Sequence, residues 1–104
     1  MQQAKKLENQ VGSVLRQVNH SGLTAKQREV LAKLLQNLTD IRTYTSDYEL
    51  SETREEQAGN AKQAKKWLKQ AQKNVLAASQ FNVFNAVDTA HLCAQIDQIA
   101  DNLK

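Results

Sequence analysis

An all-α fold, a small antiparallel bundle of four helices or of three if the middle two run on as one rod, is predicted by three features of the chain. Proline is absent from all 104 residues and glycine occurs three times, so few turns are obligatory and long helices are favoured over a many-cornered sheet. Apolar residues recur at alternating spacings of three and four in four separate segments, as helices with one buried stripe require. Short polar breaks at "NHSG", "TSDYELSET" and "SQFN" separate the segments, and short connections make consecutive helices antiparallel neighbours.

The first helix carries Ala4, Leu7, Val11, Val14 and Val18 on one stripe. Gly22 is expected to close it in the left-handed conformation, and Thr24 with Gln27 has capping-box spacing for the next helix, with Leu23 as the apolar residue before the cap. That second helix presents Leu31, Leu34, Leu38, Ile41, Thr45 and Tyr48, with Val30 and Leu35 widening the stripe. A cap at Ser51 or Thr53 starts the third, where Glu52, Glu55 and Glu56 suit the positive end of the helix dipole. Its stripe is Ala61, Ala64, Leu68, Ala71, Val75 and Ala78. Four alanines in six positions let a neighbouring helix come close while burying little area per residue. The fourth helix is expected from about Val83, capped by Asn82 or Asn85, with Phe84, Val87, Leu92, Ile96, Ile99 and Leu103 turned inward.

Length suits one domain, residues 1–104, around a lean core: Leu, Ile, Val and Phe make up 24 residues, and thirteen more apolar positions are Ala. A partner can complete such a core. One Cys excludes an internal disulfide, and with His20 and His91 alone beside it no zinc set of the usual spacing forms. No metal or other cofactor is expected. No stretch approaches 18 apolar residues and "MQQAKKLENQ" lacks an apolar signal region, so the expectation is a cytoplasmic protein with no membrane partner.

Charge is segregated along the chain. Residues 1–46 hold seven basic and three acidic groups, 47–60 one and five, 61–73 five and none, and 74–104 one and three. At about 100° per residue, Lys62, Lys66, Lys69 and Lys73 fall within roughly 60° of one another, with Lys65 just outside, opposite the Ala61, Leu68 and Val75 stripe. They predict an outward ridge about 17 Å long. Glu four residues before each Lys would stabilise a solvated helix face. Here those positions hold Ala58, Ala61, Lys62, Lys65 and Lys69.

A run of fixed cations without acids suits successive phosphates, which a protein neutralises with release of counterions. The nucleic-acid-binding set expected is therefore Lys62, Lys65, Lys66, Lys69 and Lys73, with Arg16, Lys26, Arg28 and Lys33 as secondary contributors. The competing reading is a lysine face that merely keeps the helix in water, and a third is self-association, with the acidic block "DYELSETREE" receiving the ridge of a second copy. Trp67 borders ridge and stripe, and with Tyr44 and Tyr48 it forms the expected protein-interface set.

No catalytic signature is present: phosphate loops, HExxH, CxxC and a nucleophile elbow are all missing. Asp88 can orient His91, but Cys93 projects from a different face. Asp97 and Asp101 lie at i, i+4 with no third ligand, as solvated acids do. No enzyme is expected. The run "AKKWLKQAQKNVLAAS" is similar in composition to the all-helical HEPN nucleases, yet the Arg-x4-6-His motif of that family is missing, the nearest Arg before His91 being Arg54.

In size, helix content and basic character the chain resembles the small helical subunits of CRISPR-type effector complexes. That resemblance implies packing in rows and a hold on nucleic-acid backbone. The expectation is thus a noncatalytic subunit of a larger assembly that binds backbone through the ridge and protein through its seams. The alternative is a purely protein-binding module: an adaptor, inhibitor, immunity protein or secretion chaperone.

Overall fold

Four helices account for most of the chain: α1 (Gln2–Arg16), α2 (Ala25–Glu49), α3 (Arg54–Gln80) and α4 (Ala86–Asn102), with one 3-10 turn at His20–Gly22. The computed structural model describes residues 2–103, and no strand occurs among them. Consecutive helices pack side by side and α1 returns against α4, while the backbones of α1 and α3, like those of α2 and α4, stay apart across the diagonal. The result is a square up-down-up-down bundle, and the second and third helices are separate.

α2 and α3 form the most extensive pairing. The six stripe residues of α3, from Ala61 to Ala78, are all buried in one core cluster with Leu31, Leu34, Leu38 and Ile41 of α2. Small side chains on α3 leave room for large ones on α2, so the backbones approach closely and the interior stays filled. Polar groups pin the register of this hairpin. Asn74 donates to Asn37, which is only 6% exposed; Asn60 donates to Ser51 at 3.0 Å and Gln27 to the Phe81 carbonyl at 2.6 Å. The Asn60 bond offsets part of the cost that Gly59 brings to the helix interior.

Three N-caps follow the sequence, Thr24, Thr53 and Asn85, whereas the close of α1 departs from it. Thr24 and Gln27 form the full capping box of α2. Thr53 accepts from the Glu56 amide at 3.1 Å, but the Glu56 carboxylate accepts from Glu52 rather than closing a box on Thr53. Gly22 does not close α1 in the left-handed region, for no glycine among the described residues has a positive φ. Helix α1 stops at Arg16 instead: Gln17 and Val18 tighten the last turn with i to i−3 bonds, and the His20 ring donates to the Leu15 carbonyl at 2.9 Å. These bonds occupy terminal carbonyls that would otherwise need a glycine turn. Val18 consequently lies beyond the helix, half-buried.

The fourth helix begins at Ala86, three residues later than the sequence suggests. Asn82 is the reason: with φ 62° it takes the left-handed position that ends α3, while the Val83 amide reaches the Ala78 carbonyl at 2.8 Å and the Asn82 amide that of Ser79 at 3.0 Å. Those bonds complete a Schellman motif with Asn in the place glycine usually takes. Asn85 then caps α4 by accepting from the Asp88 amide at 2.8 Å. Phe84 is buried from the loop, not from the helix, and Val87 points outward at 63% exposure. Thr89 fills the inward position, its hydroxyl donating to the Asn85 carbonyl at 2.7 Å. Leu35, expected to widen the α2 stripe, is 48% exposed.

The helices differ in length, which shapes the molecule. At 27 residues α3 is about 40 Å long and at 17 residues α4 about 25 Å. The ends of the α2–α3 hairpin therefore overhang α1 and α4, consistent with a long dimension of 48 Å. Residues 52 to 59 at this overhang are all exposed.

Candidate nucleic-acid interface

The lysine ridge forms on α3 for the reason its sequence implies. Burial of Ala61, Ala64, Leu68, Ala71, Val75 and Ala78 fixes the helix rotation, and Lys62, Lys65, Lys66, Lys69 and Lys73 are thereby all turned to solvent. None of these five ammonium groups lies within 4 Å of a carboxylate among the described residues, whereas Lys26, Lys33 and Arg42 each have an acidic partner. Among the described residues, the ridge charges are therefore neither scattered around the rod nor neutralised by a carboxylate.

Lys62, Lys65, Lys66 and Lys69 also line an open groove of about 560 Å³ between α3 and α4. Its other lining residues are Leu68, Gln72, Ile96, Asp97 and Ala100. Leu68 and Ile96 are nearly inaccessible and close the floor. Half-buried Ala100 and the lysine methylenes supply most of the apolar wall, since long cationic side chains lay their stems on a surface while the charge stays wet. Lys73 stands exposed one turn further along, outside the groove. Gln72 donates to Asp97 at 3.3 Å across the groove, so the one carboxylate of the lining is already engaged by an amide.

The secondary basic residues do not join this surface. Lys33 lines a groove on the other flank of α3, between α2 and α3, with Gln36, Asn37, Trp67, Gln70 and Asn74. Glu29 pairs with Lys33 at 3.2 Å and Lys26 at 3.8 Å. A hydrogen bond from Lys33 and the nearby Lys26 charge hold its carboxyl below the usual carboxylate range. Arg28 is exposed in the first turn of α2, and Arg16 donates to the Gly12 carbonyl at 3.3 Å at the end of α1.

Trp67 is half-buried and packs against the core. The Lys66 ammonium sits 5.0 Å from its ring centroid, within cation–π range. The ridge and the tryptophan are thus physically coupled through Lys66. The indole Nε1 is shielded from solvent and has no acceptor among the described residues. Tyr44 and Tyr48 are half-buried at the core edge on α2. Trp67 therefore adjoins the ridge, while the tyrosines lie on the neighbouring helix.

His91 is exposed on α4 and Cys93 half-buried. Burial pushes the Cys93 thiol up, against a hydrogen bond with Gln72 that pulls it down and with the Asp97 charge adding to the rise. Among the described residues no group of three His, Cys, Asp or Glu side chains is arranged to hold a metal ion, and no helix is long and apolar enough to cross a membrane. Comparison with protein-family models, curated proteins and solved structures found no match to this chain.

Sequence reasoning missed the groove and two residues that shape it, Gln72 and Ala100. Both follow from how α4 is placed against α3, which no spacing within one helix reveals. The nearest available signal is Ala100, small and at stripe-edge spacing from Ile96.

Proposed function

We propose that this protein is a noncatalytic helical subunit of a larger assembly that holds nucleic-acid backbone along α3. The supporting observation is the unpaired ridge: five exposed lysines on one crest, four of them on the rim of a groove, without a carboxylate within ion-pairing distance among the described residues. Lys62, Lys65, Lys66, Lys69 and Lys73 contact phosphates. Arg16, Lys26, Arg28 and Lys33 act at most from a distance, as long-range attraction. Affinity of this kind is salt-dependent and tolerant of base sequence.

Tyr44, Tyr48 and Trp67 contact neighbouring protein subunits in this proposal, each offering a half-buried aromatic edge. Reversing Lys62, Lys66, Lys69 and Lys73 to Glu tests the ridge, with Lys5 and Lys6 of α1 reversed as a control. Four lost phosphate contacts weaken binding to a single strand on the order of a thousandfold at about 50 mM salt. Equal binding by the two reversed proteins refutes the proposal.

A second reading, a protein-binding module such as an adaptor, inhibitor, immunity protein or secretion chaperone, is favoured by the exposure of Leu50 at 75% and Val87 at 63%. It predicts a stoichiometric protein complex unchanged by added oligonucleotide. Light scattering on a gel-filtration column, with and without a single strand, separates the two.

A further inference from the structure

Leu50 is the most exposed large apolar residue of the described chain, and it stands at the overhanging α2–α3 turn. Its sequence neighbours are acidic: Asp47, Glu49, Glu52, Glu55 and Glu56 lie within six positions, against one base, Arg54. Local bonds hold this tip in shape. Leu50 donates its amide to the Ser46 carbonyl at 3.0 Å, Ser51 donates its hydroxyl to the Asp47 carbonyl at 2.7 Å, and the Glu56 carboxylate accepts from the Glu52 amide at 3.2 Å. An apolar side chain is thus displayed on a projecting, structured, negatively charged knob.

The α3–α4 groove is its complement. Lys62, Lys65, Lys66 and Lys69 rim it, and Ala100 with the lysine stems forms an apolar wall above Leu68 and Ile96. We propose that the α2–α3 tip of one copy docks into the α3–α4 groove of a second, Leu50 on the apolar wall and Asp47, Glu52 and Glu55 against the lysines. The tip leads directly into the start of α3 and the groove lies further along the same helix, so a chain cannot turn its own tip into its own groove. The contact joins unlike surfaces, so it leaves a free tip and a free groove at the two ends of each pair and propagates as a row unless the rotation closes a ring. It stands independently of nucleic-acid binding, although the two occupants share lysines and exclude one another from the groove.

The test is sedimentation of the whole chain over rising concentration in low and high salt, without nucleic acid. The weight-average mass is expected to climb past twice 11.7 kDa at about 1 mM protein in low salt and to fall back as salt shortens the Debye length to about 3 Å near 1 M. Leu50→Ser, which leaves every charge in place, is expected to weaken association at least about tenfold through lost apolar burial. Lys65→Glu/Lys69→Glu and Asp47→Lys/Glu52→Lys are each expected to stay monomeric, while a mixture of the two associates again because each supplies the charge the other needs. A monomeric wild type at the highest concentration, association indifferent to Leu50→Ser, or a mixture that stays monomeric overturns the proposal. Oligonucleotide binding is measured separately on dilute monomer, so failure of one reading leaves the other standing.

Discussion

Truncating Asn74 to Ala tests how α2 and α3 hold their register. The Asn74 side chain donates to the Asn37 side-chain amide oxygen Oδ1 across the most extensive helix pair. Asn37 is 6% exposed, so after truncation its oxygen has lost a partner where solvent enters with difficulty, a loss of about 1–3 kcal/mol. Two effects pull the net cost to the lower end of that range. Ala is a better helix former by a few tenths of a kcal/mol, and both asparagines border the α2–α3 groove, from which water can reach part of the site. The expected destabilisation is about 1 kcal/mol, seen in urea unfolding followed by helical circular dichroism as a lower midpoint at unchanged slope. Replacing both residues, Asn37→Leu with Asn74→Ala, leaves no orphaned amide and is expected to recover at least about 0.5 kcal/mol relative to the sum of the single costs. A single substitution without effect, or strictly additive ones, refutes the role given to this pair.

Three further outcomes follow from local geometry. Asn82→Ala removes from φ 62° the short polar side chain that eases the left-handed conformation and is expected to cost up to about 1 kcal/mol, whereas Asn82→Gly, which removes the β-carbon, is neutral or stabilising; thermal unfolding of the two variants decides it. Ala64→Leu adds volume at a fully buried seam position and is expected to cost about 1–3 kcal/mol by the same denaturation assay. The Glu29 carboxyl is held below its ordinary value of 4.5, first by the Lys33 hydrogen bond and then by the Lys26 charge. Because the folded value is the lower one, its contribution is fully present above the unfolded value and is lost as pH falls through the folded value. In Lys33→Ala, carboxyl titration by NMR should find Glu29 moved up toward the ordinary value.

The fold was legible where one helix's rotation decides burial. All six α3 stripe residues are buried, as are Leu31, Leu34, Leu38, Ile41 and Thr45 of α2, because a strict 3,4 alternation permits a single inward face. Legibility failed where a second element chooses between neighbours on that face. Leu35 and Val87 lie just past the stripe edge and face solvent, while Asn37 and Thr89 go inside because each finds a hydrogen-bond partner. The start of α4 falls at the later of the two caps the sequence offers, Asn85, because Asn82 is occupied in the left-handed region with the role a sequence signal assigns to glycine.

Of the candidate site, the ridge itself could be read from α3 alone, including its missing acids. The groove could not, since it needs the placement of Ala100 and Asp97 opposite Lys65 and Lys69. Nor could the separation of Lys33 from the ridge, which depends on α2 packing against the flank of α3 that bears Trp67. Charge counts along a sequence sum what the fold distributes over different faces.

The salt dependence of oligonucleotide affinity addresses the ridge most directly. Five lysines engaging phosphates of a single strand give a log K against log salt slope of about −3.5, and reversal of Lys62, Lys66, Lys69 and Lys73 flattens it by about three units. A wild-type slope near zero, or one that the reversal leaves unchanged, contradicts the account.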